Sequence, residues 1–281
     1  MKKYKIDKSK NIGNVIFVVE GGRPDTGGTE LRLLKAIFAD ILGYEVQELR
    51  RGSEEFIGYG NNPQYRVFAL NLPKNQLTQL NEDAIDVLFC RLIEEFHIKP
   101  EDCPIFFLYD RDVLSYKRNE LRGQYVKKYT DPYGNEFGDQ GQLLLSYPAI
   151  ESYLLSLIQE DVYKEAFCLG KDVKPVLTNA ICPDDSADKT DIHLKTVELV
   201  LSNSTDEAEA RLIHSIDEMD KGLEAMSIVN YDLDHLAPTL LAVYDYQQQK
   251  YNTENNFSLI SLVGMALLEL GIIVEIEEET D

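Results

Sequence analysis

Three acidic residues stand where apolar runs stop. VIFVV (15–19) ends at Glu20, and IFFLY (105–109) ends at Asp110, with Asp112 two positions further on. Alternate residues of an extended segment point the same way, so Asp110 and Asp112 can aim both carboxylates at one spot. If the two runs lie in one sheet, Glu20 joins them. Three carboxylates from two strand ends suit a hard divalent cation, Mg²⁺ or Mn²⁺, which takes oxygen ligands and leaves positions for water and phosphate. Such a centre would hydrolyse phosphodiesters, and Glu20 could shuttle a proton if crowding by the aspartates raises its pKa. Ordinary polar strand ends are the plainer account of the same residues.

The elements that must position these groups read as follows. Asn14 to Val19 is β-branched-rich and lies between Gly13 and Gly21, which predicts a buried strand of a parallel sheet. Thr29 is the expected N-cap of a helix whose Leu31, Leu34, Ile37, Phe38 and Ile41 keep helical spacing until Gly43. Tyr44 to Leu49 predicts a strand, Gly52 to Pro63 a loop, and Tyr65 to Leu72 a strand. Asn81 to Phe96 predicts a helix with Ile85, Leu88, Phe89, Leu92 and Ile93 inward, and Pro104 to Tyr109 the strand that carries the aspartates. Strands alternating with helices imply an open, mainly parallel α/β sheet flanked by helices, with sites at the carboxyl ends of the strands.

Residues 113–141 interrupt this rhythm, and Leu143 to Ser146 offers a last short strand. From Ala149 onward no strand is expected: 151–168, 190–203, 206–226, 235–252 and 257–270 read as helices, and the Pro-containing 170–189 as a loop. This places a soft boundary near 150 between a catalytic domain (1–150) and a mostly helical region (151–281). Charge divides at the same point. Residues 1–150 hold 20 Lys+Arg against 22 Asp+Glu, whereas residues 151–281 hold 8 against 27. An acidic half argues against non-specific coating of DNA by the whole chain and suits either a solvated helical surface or a basic protein partner. The cysteines show no CxxC pair and no long apolar run is present, so the expectation is a cytoplasmic protein with reduced thiols and no membrane span.

The VVEG run, the amphipathic helix after it and an apolar strand ending in DRD together resemble the TOPRIM fold over roughly residues 14–150. That fold occurs in topoisomerases, primases and small nucleases, including the OLD family and the TOPRIM nuclease subunit of PARIS-type anti-phage systems. The resemblance implies a Mg²⁺- or Mn²⁺-dependent endonuclease in which Glu20 is the motif glutamate and Asp110 and Asp112 the metal-binding pair. YPAIESYLL (147–155) resembles a segment following the sheet in those nucleases and implies Glu151 as a further ligand. The Thr29-Glu30 pair is similar to a second acidic position in OLD-type sites and implies Glu30, although the gap from Glu20 is longer here. The resemblance also implies a toxic defence effector held quiet by a protein partner such as an ATPase, with a homo-oligomer compatible with the same reading.

Two other readings compete. GRPDTGGT (22–29) is one residue from a phosphate-binding loop, but Gly28 stands where the lysine belongs, so a nucleotide-binding protein would be a degenerate one. A non-catalytic TOPRIM-like interaction module is the second. One positive island favours nucleic acid: YKRNELRGQYVKKY (116–129) carries Lys117, Arg118, Arg122, Lys127 and Lys128 with Tyr116, Tyr125 and Tyr129 interleaved. Its cations can neutralise phosphates and its rings can stack bases, whether of DNA or RNA. A solvated helix or hairpin of mixed Lys and Tyr is the alternative for this stretch. Asp232 and Asp234 precede a helix and read as capping residues.

Overall fold

The computed structural model describes residues 2–20, 28–49, 54–62, 64–71, 82–111, 125–134, 139–183, 192–201 and 204–276. Its centre is a mixed sheet whose four middle strands are parallel. Strand β1 (Tyr4–Ile6) lies apart from it; β2 (Asn14–Val19) is the inner strand, with Val15 to Val19 all buried. Parallel partners flank β2 on both sides: β5 (Arg66–Asn71) and β6 (Ile105–Asp110). Continuous apolar runs result because both faces of these strands are covered. Beyond β5 the sheet turns antiparallel through β4 (Phe56–Tyr59) to β3 (Glu45–Glu48). Beyond β6 it continues in parallel to β8 (Gly141–Tyr147), which also pairs with the short β7 (Thr130–Asp131).

Several sequence expectations are corrected here. The stretch 52–63, read as a loop, contains β4. Its Gly58 and Gly60 lie under the Tyr44 ring, and a Cβ at Gly60 would come within 3.2 Å of Tyr44 Cζ, so these glycines mark close packing and not a turn. Gly28, not Thr29, caps helix α1 (Thr29–Lys35), which passes into a wider π-helical turn over Ala36–Ile41. On α2 (Glu82–Phe96), Leu88 and Leu92 face inward, but Ile93 is 52% exposed.

The second half is less helical than expected. The helix over 151–168 stops early as α3 (Glu151–Ser156); a 3₁₀ turn at Val162–Lys164 and strand β9 (Ala166–Phe167) follow. The expected loop is instead α4 (Gly170–Ile181), with Pro175 inside it and Val173, Leu177 and Thr178 buried. Pro175 sits in the middle of α4, where its ring removes one helical hydrogen bond and the chain still continues as helix. Helices α5 (Ile192–Leu201), α6 (Thr205–Ala225) and α7 (Ala237–Glu254) match expectation, and the Asp232 carboxylate accepts from the Asp234 amide as a cap. The start of the expected helix 257–270 is strand: β10 (Phe257–Ser258) pairs with β9, and β11 (Ile260–Ser261) joins the edge of β8, before α8 (Val263–Glu269). Finally β12 (Ile273–Glu275) pairs with β1, and one continuous hydrophobic core runs from Tyr4 to Ile273. Among the described residues, no helix is long and apolar enough to cross a membrane.

Candidate active site

The parallel register brings the ends of β2, β6 and β8 to one edge of the sheet. Val19 lies beside Leu108, and Asp110 beside Ser146. One residue past β2, the Glu20 amide still donates to Leu108 O (3.1 Å), so Glu20 continues the ladder. Its Oε2 accepts from the Asp110 amide at 3.2 Å, which ties the two strand ends together through a carboxylate. Asp110 Oδ1 in turn accepts from the Ile150 amide at 2.7 Å. Ile150 immediately precedes α3, so this bond fixes Glu151 at the same edge. Glu30, in the first turn of α1, completes the group.

Four carboxylates from four elements therefore converge: Glu20, Glu30, Asp110 and Glu151. Glu30 and Glu151 are only 7% and 8% exposed. Burial is the main cause that pushes Glu30 up to about 8, reinforced by the negative charges of Glu151 and Glu20 and opposed by its own backbone hydrogen bond and by Lys174. Burial likewise holds Asp110 well above the ordinary aspartate range, with Glu30, Glu151 and Glu20 adding repulsion and the Ile150 amide opposing it. Like charges crowded in a poorly hydrated cleft favour protonation or a bound cation. The open space here is about 290 Å³, lined by Glu20, Asp110 and Glu151 on the sheet side and by Gly170, Lys171 and Lys174 of α4 opposite. Lys174 Nζ lies 3.5 Å from Glu151 Oε1.

The donor set is all carboxylate oxygen, which fits a hard divalent cation and not a soft one. Among the described residues, no three His, Cys, Asp or Glu side chains form a group that could hold a metal ion as they stand. Glu20 is turned to the Asp110 amide, Asp110 to the Ile150 amide, and Glu151 toward Lys174. The residues fit such an ion by chemistry and location; closing on it would exchange some of these contacts for ion contacts.

No protein family, curated protein or solved structure matches the chain. The site must stand on its own geometry.

Asp112 lies outside the described residues, as do Lys117, Arg118, Arg122 and the glycine-rich 21–27. The described end of the positive island is not where the sequence suggested. Thr130 pairs with Gln142, at the start of β8, whereas Asp110 pairs with Ser146. Four residues of strand put roughly 13 Å between those levels, so Thr130 lies toward the opposite end of the strands. Lys128 is bound to Asp139 (3.2 Å) and lies over the Tyr129 ring. Tyr125 and Tyr129 are buried, Tyr129 against Phe107, and present no face for a stacked base. Arg111 borders the cleft but is tied to the helix behind it. It is 1% exposed, donates to Gln248 Oε1 at 3.1 Å, and lies near the rings of Tyr244 and Phe257. Lys171 and Lys174 were missed by sequence reasoning because Pro175 marked their segment as a loop; their i, i+3 spacing in GKDVKP was the available signal.

Proposed function

We propose that the chain is a divalent-cation-dependent nuclease built on a TOPRIM-like sheet. The observation that carries this reading is the convergence of Glu20, Glu30, Asp110 and Glu151 at the carboxyl edge of parallel strands, with Asp110 pushed upward by burial and by the other three. Glu20, Asp110 and Glu151, with Glu30 and Asp112, would hold Mg²⁺ or Mn²⁺. A bound cation there supplies Lewis-acid polarisation of the phosphodiester and makes water more acidic. Glu30, at about 8, keeps a proton near neutral pH and yields it as positive charge enters the cleft. The Glu20–Asp110 and Asp110–Ile150 hydrogen bonds keep the strand ends and α3 together, so the carboxylates are already gathered where an ion would enter. By its resemblance to the OLD and PARIS-type nucleases, the chain would act as a defence effector restrained by a protein partner such as an ATPase.

The test is cleavage of labelled DNA and RNA by the purified chain in Mg²⁺ or Mn²⁺, beside Asp110→Asn and Glu20→Gln. Cleavage reduced at least about 100-fold in both variants is expected, since each removes charge stabilisation acting on the transition state. Equal cleavage by all three proteins would remove the assignment. No cleavage by any of them, with no toxicity on expression that Glu20→Gln relieves, would favour a non-catalytic module.

A further inference from the structure

A second cavity of about 540 Å³ adjoins the carboxylate cleft, and the two share Glu151, Lys171 and Lys174 as lining residues. Helix α4 is the wall between them. Lys171 and Lys174 stand one turn apart on its surface, and the Lys174 side chain remains 53% exposed while near Glu151. Cations are scarce in this half: 8 Lys+Arg against 27 Asp+Glu over residues 151–281. Two of those eight border both cavities, beside the carboxylates that would repel a polyanion.

The second cavity has a mixed lining. Leu154, Pro175 and Leu177 supply apolar surface, and Thr178, Asn179 and Thr196 supply polar atoms. Thr178 Oγ1 donates to Lys174 O at 2.9 Å, so toward a ligand this hydroxyl is an acceptor. Apolar walls with a few placed polar groups suit a nucleoside, and the volume lies in the range of small-molecule sites.

We propose that α4 and this groove form the seat of the substrate strand: Lys171 and Lys174 pair with phosphates beside the carboxylate cleft, and the groove receives an adjoining nucleoside. The proposal deepens the nuclease reading and rests on it for the identity of the ligand. It moves the main phosphate contacts from the 116–129 island to the helix facing the carboxylates.

The experiment measures binding, not turnover. Fluorescence anisotropy of a labelled oligonucleotide is followed against salt with the full chain, Ca²⁺ replacing Mg²⁺. Losing two phosphate contacts in Lys171→Gln/Lys174→Gln should weaken binding about tenfold or more and flatten the log Kd–log[salt] slope by about 1.5. Lys8→Gln/Lys164→Gln, on exposed surfaces elsewhere, should leave the slope unchanged, and melting curves check that each variant folds. A sugar-phosphate chain of equal length without bases should keep the slope but bind about tenfold more weakly. An unchanged slope in the Lys171/Lys174 variant, a slope lost through Lys127→Gln/Lys128→Gln instead, or no binding by the wild type would overturn the proposal. Equal affinity for the baseless chain would remove the nucleoside from the groove. Asp110→Asn separates the two readings: binding with the wild-type slope but no cleavage supports both, and binding with undiminished cleavage keeps the strand seat while removing the catalytic assignment.

Discussion

Replacing Glu30 by Gln removes one of the four crowded charges while nearly preserving size. In the folded chain Glu30 titrates near 8, against 4.5 for a free side chain. Folding therefore favours its proton between those values, and the cost of ionising it grows as pH rises from about 4.5 to 8. Below 4.5 both states are protonated and the cost vanishes; above 8 it is complete. At 1.36 kcal/mol per pH unit, the ceiling is about 5 kcal/mol. The observed gain will be smaller, because Asp110 shares the repulsion and relaxes with it, and because a buried amide lacking ideal partners costs about 1 kcal/mol. Glu30→Gln should accordingly be more stable than wild type by about 2 kcal/mol at pH 8.5 in EDTA, and within about 1 kcal/mol of it at pH 4.5. Urea unfolding at the two pH values measures this directly. Glu269, also raised to about 8 by burial, contributes the same trend to both proteins and cancels in the difference. Added Mn²⁺ should then reverse the order at pH 8.5, because the wild type offers one more carboxylate and ligand binding to the native state adds about 2.7 kcal/mol at a hundred times its Kd. A pH-independent difference between the two proteins, or equal stabilisation of both by Mn²⁺, would refute the crowded-carboxylate argument.

Three further substitutions probe what holds the site. Arg111→Met keeps volume but loses the bond to Gln248 and the contacts with Tyr244 and Phe257; it should cost about 1–3 kcal/mol in urea unfolding. Glu55 accepts two bonds from Arg91 (2.9 and 3.0 Å) and one from the Asn71 amide. Glu55→Ala should therefore cost about 3 kcal/mol, most of it from the partners left behind, and a double-mutant cycle with Arg91→Ala should recover part of it. Gly141→Ala places a Cβ 2.0 Å from Phe107 Cε2 at a backbone φ of +116°, and should lower stability by about 3 kcal/mol or more, read by thermal melting.

The parts of the fold legible in advance were those where one physical cause dominates the pattern. Strands β2 and β6 are covered on both faces, so each reads as an unbroken apolar run ending in acid. What escaped had two causes. Gly58, Gly60 and Pro175 carry strong local signals for turns, yet packing under Tyr44 and, around Pro175, the burial of Val173 and Leu177 override them. Strands β9 to β12 are only two or three residues long, too short for a period of two to emerge. They exist because partners distant in sequence supply their hydrogen bonds, as Ile273 does for Ile6 across the whole chain.

The site divides along the same line. Glu20 and Asp110 follow from strand ends alone, whereas Glu30 and Glu151 follow from resemblance, and the structure brings them beside the first two. For Glu151 the link is the Asp110–Ile150 hydrogen bond, a contact between a side chain and a backbone amide 40 residues away that no composition or spacing encodes. The acidity of residues 151–281 is not spread evenly at the cleft: α3 contributes Glu151 to the carboxylates, and α4 sets Lys171 and Lys174 against them. Net charge describes the field far from the molecule, while within a Debye length of about 8 Å the local pairing of helix and sheet edge governs what can bind. Charge reversal of those two lysines should thus disable strand binding far more than its four-unit change in a total charge of −21 implies. Neutralising four acids elsewhere in the half should not restore it, a comparison that separates local from global electrostatics.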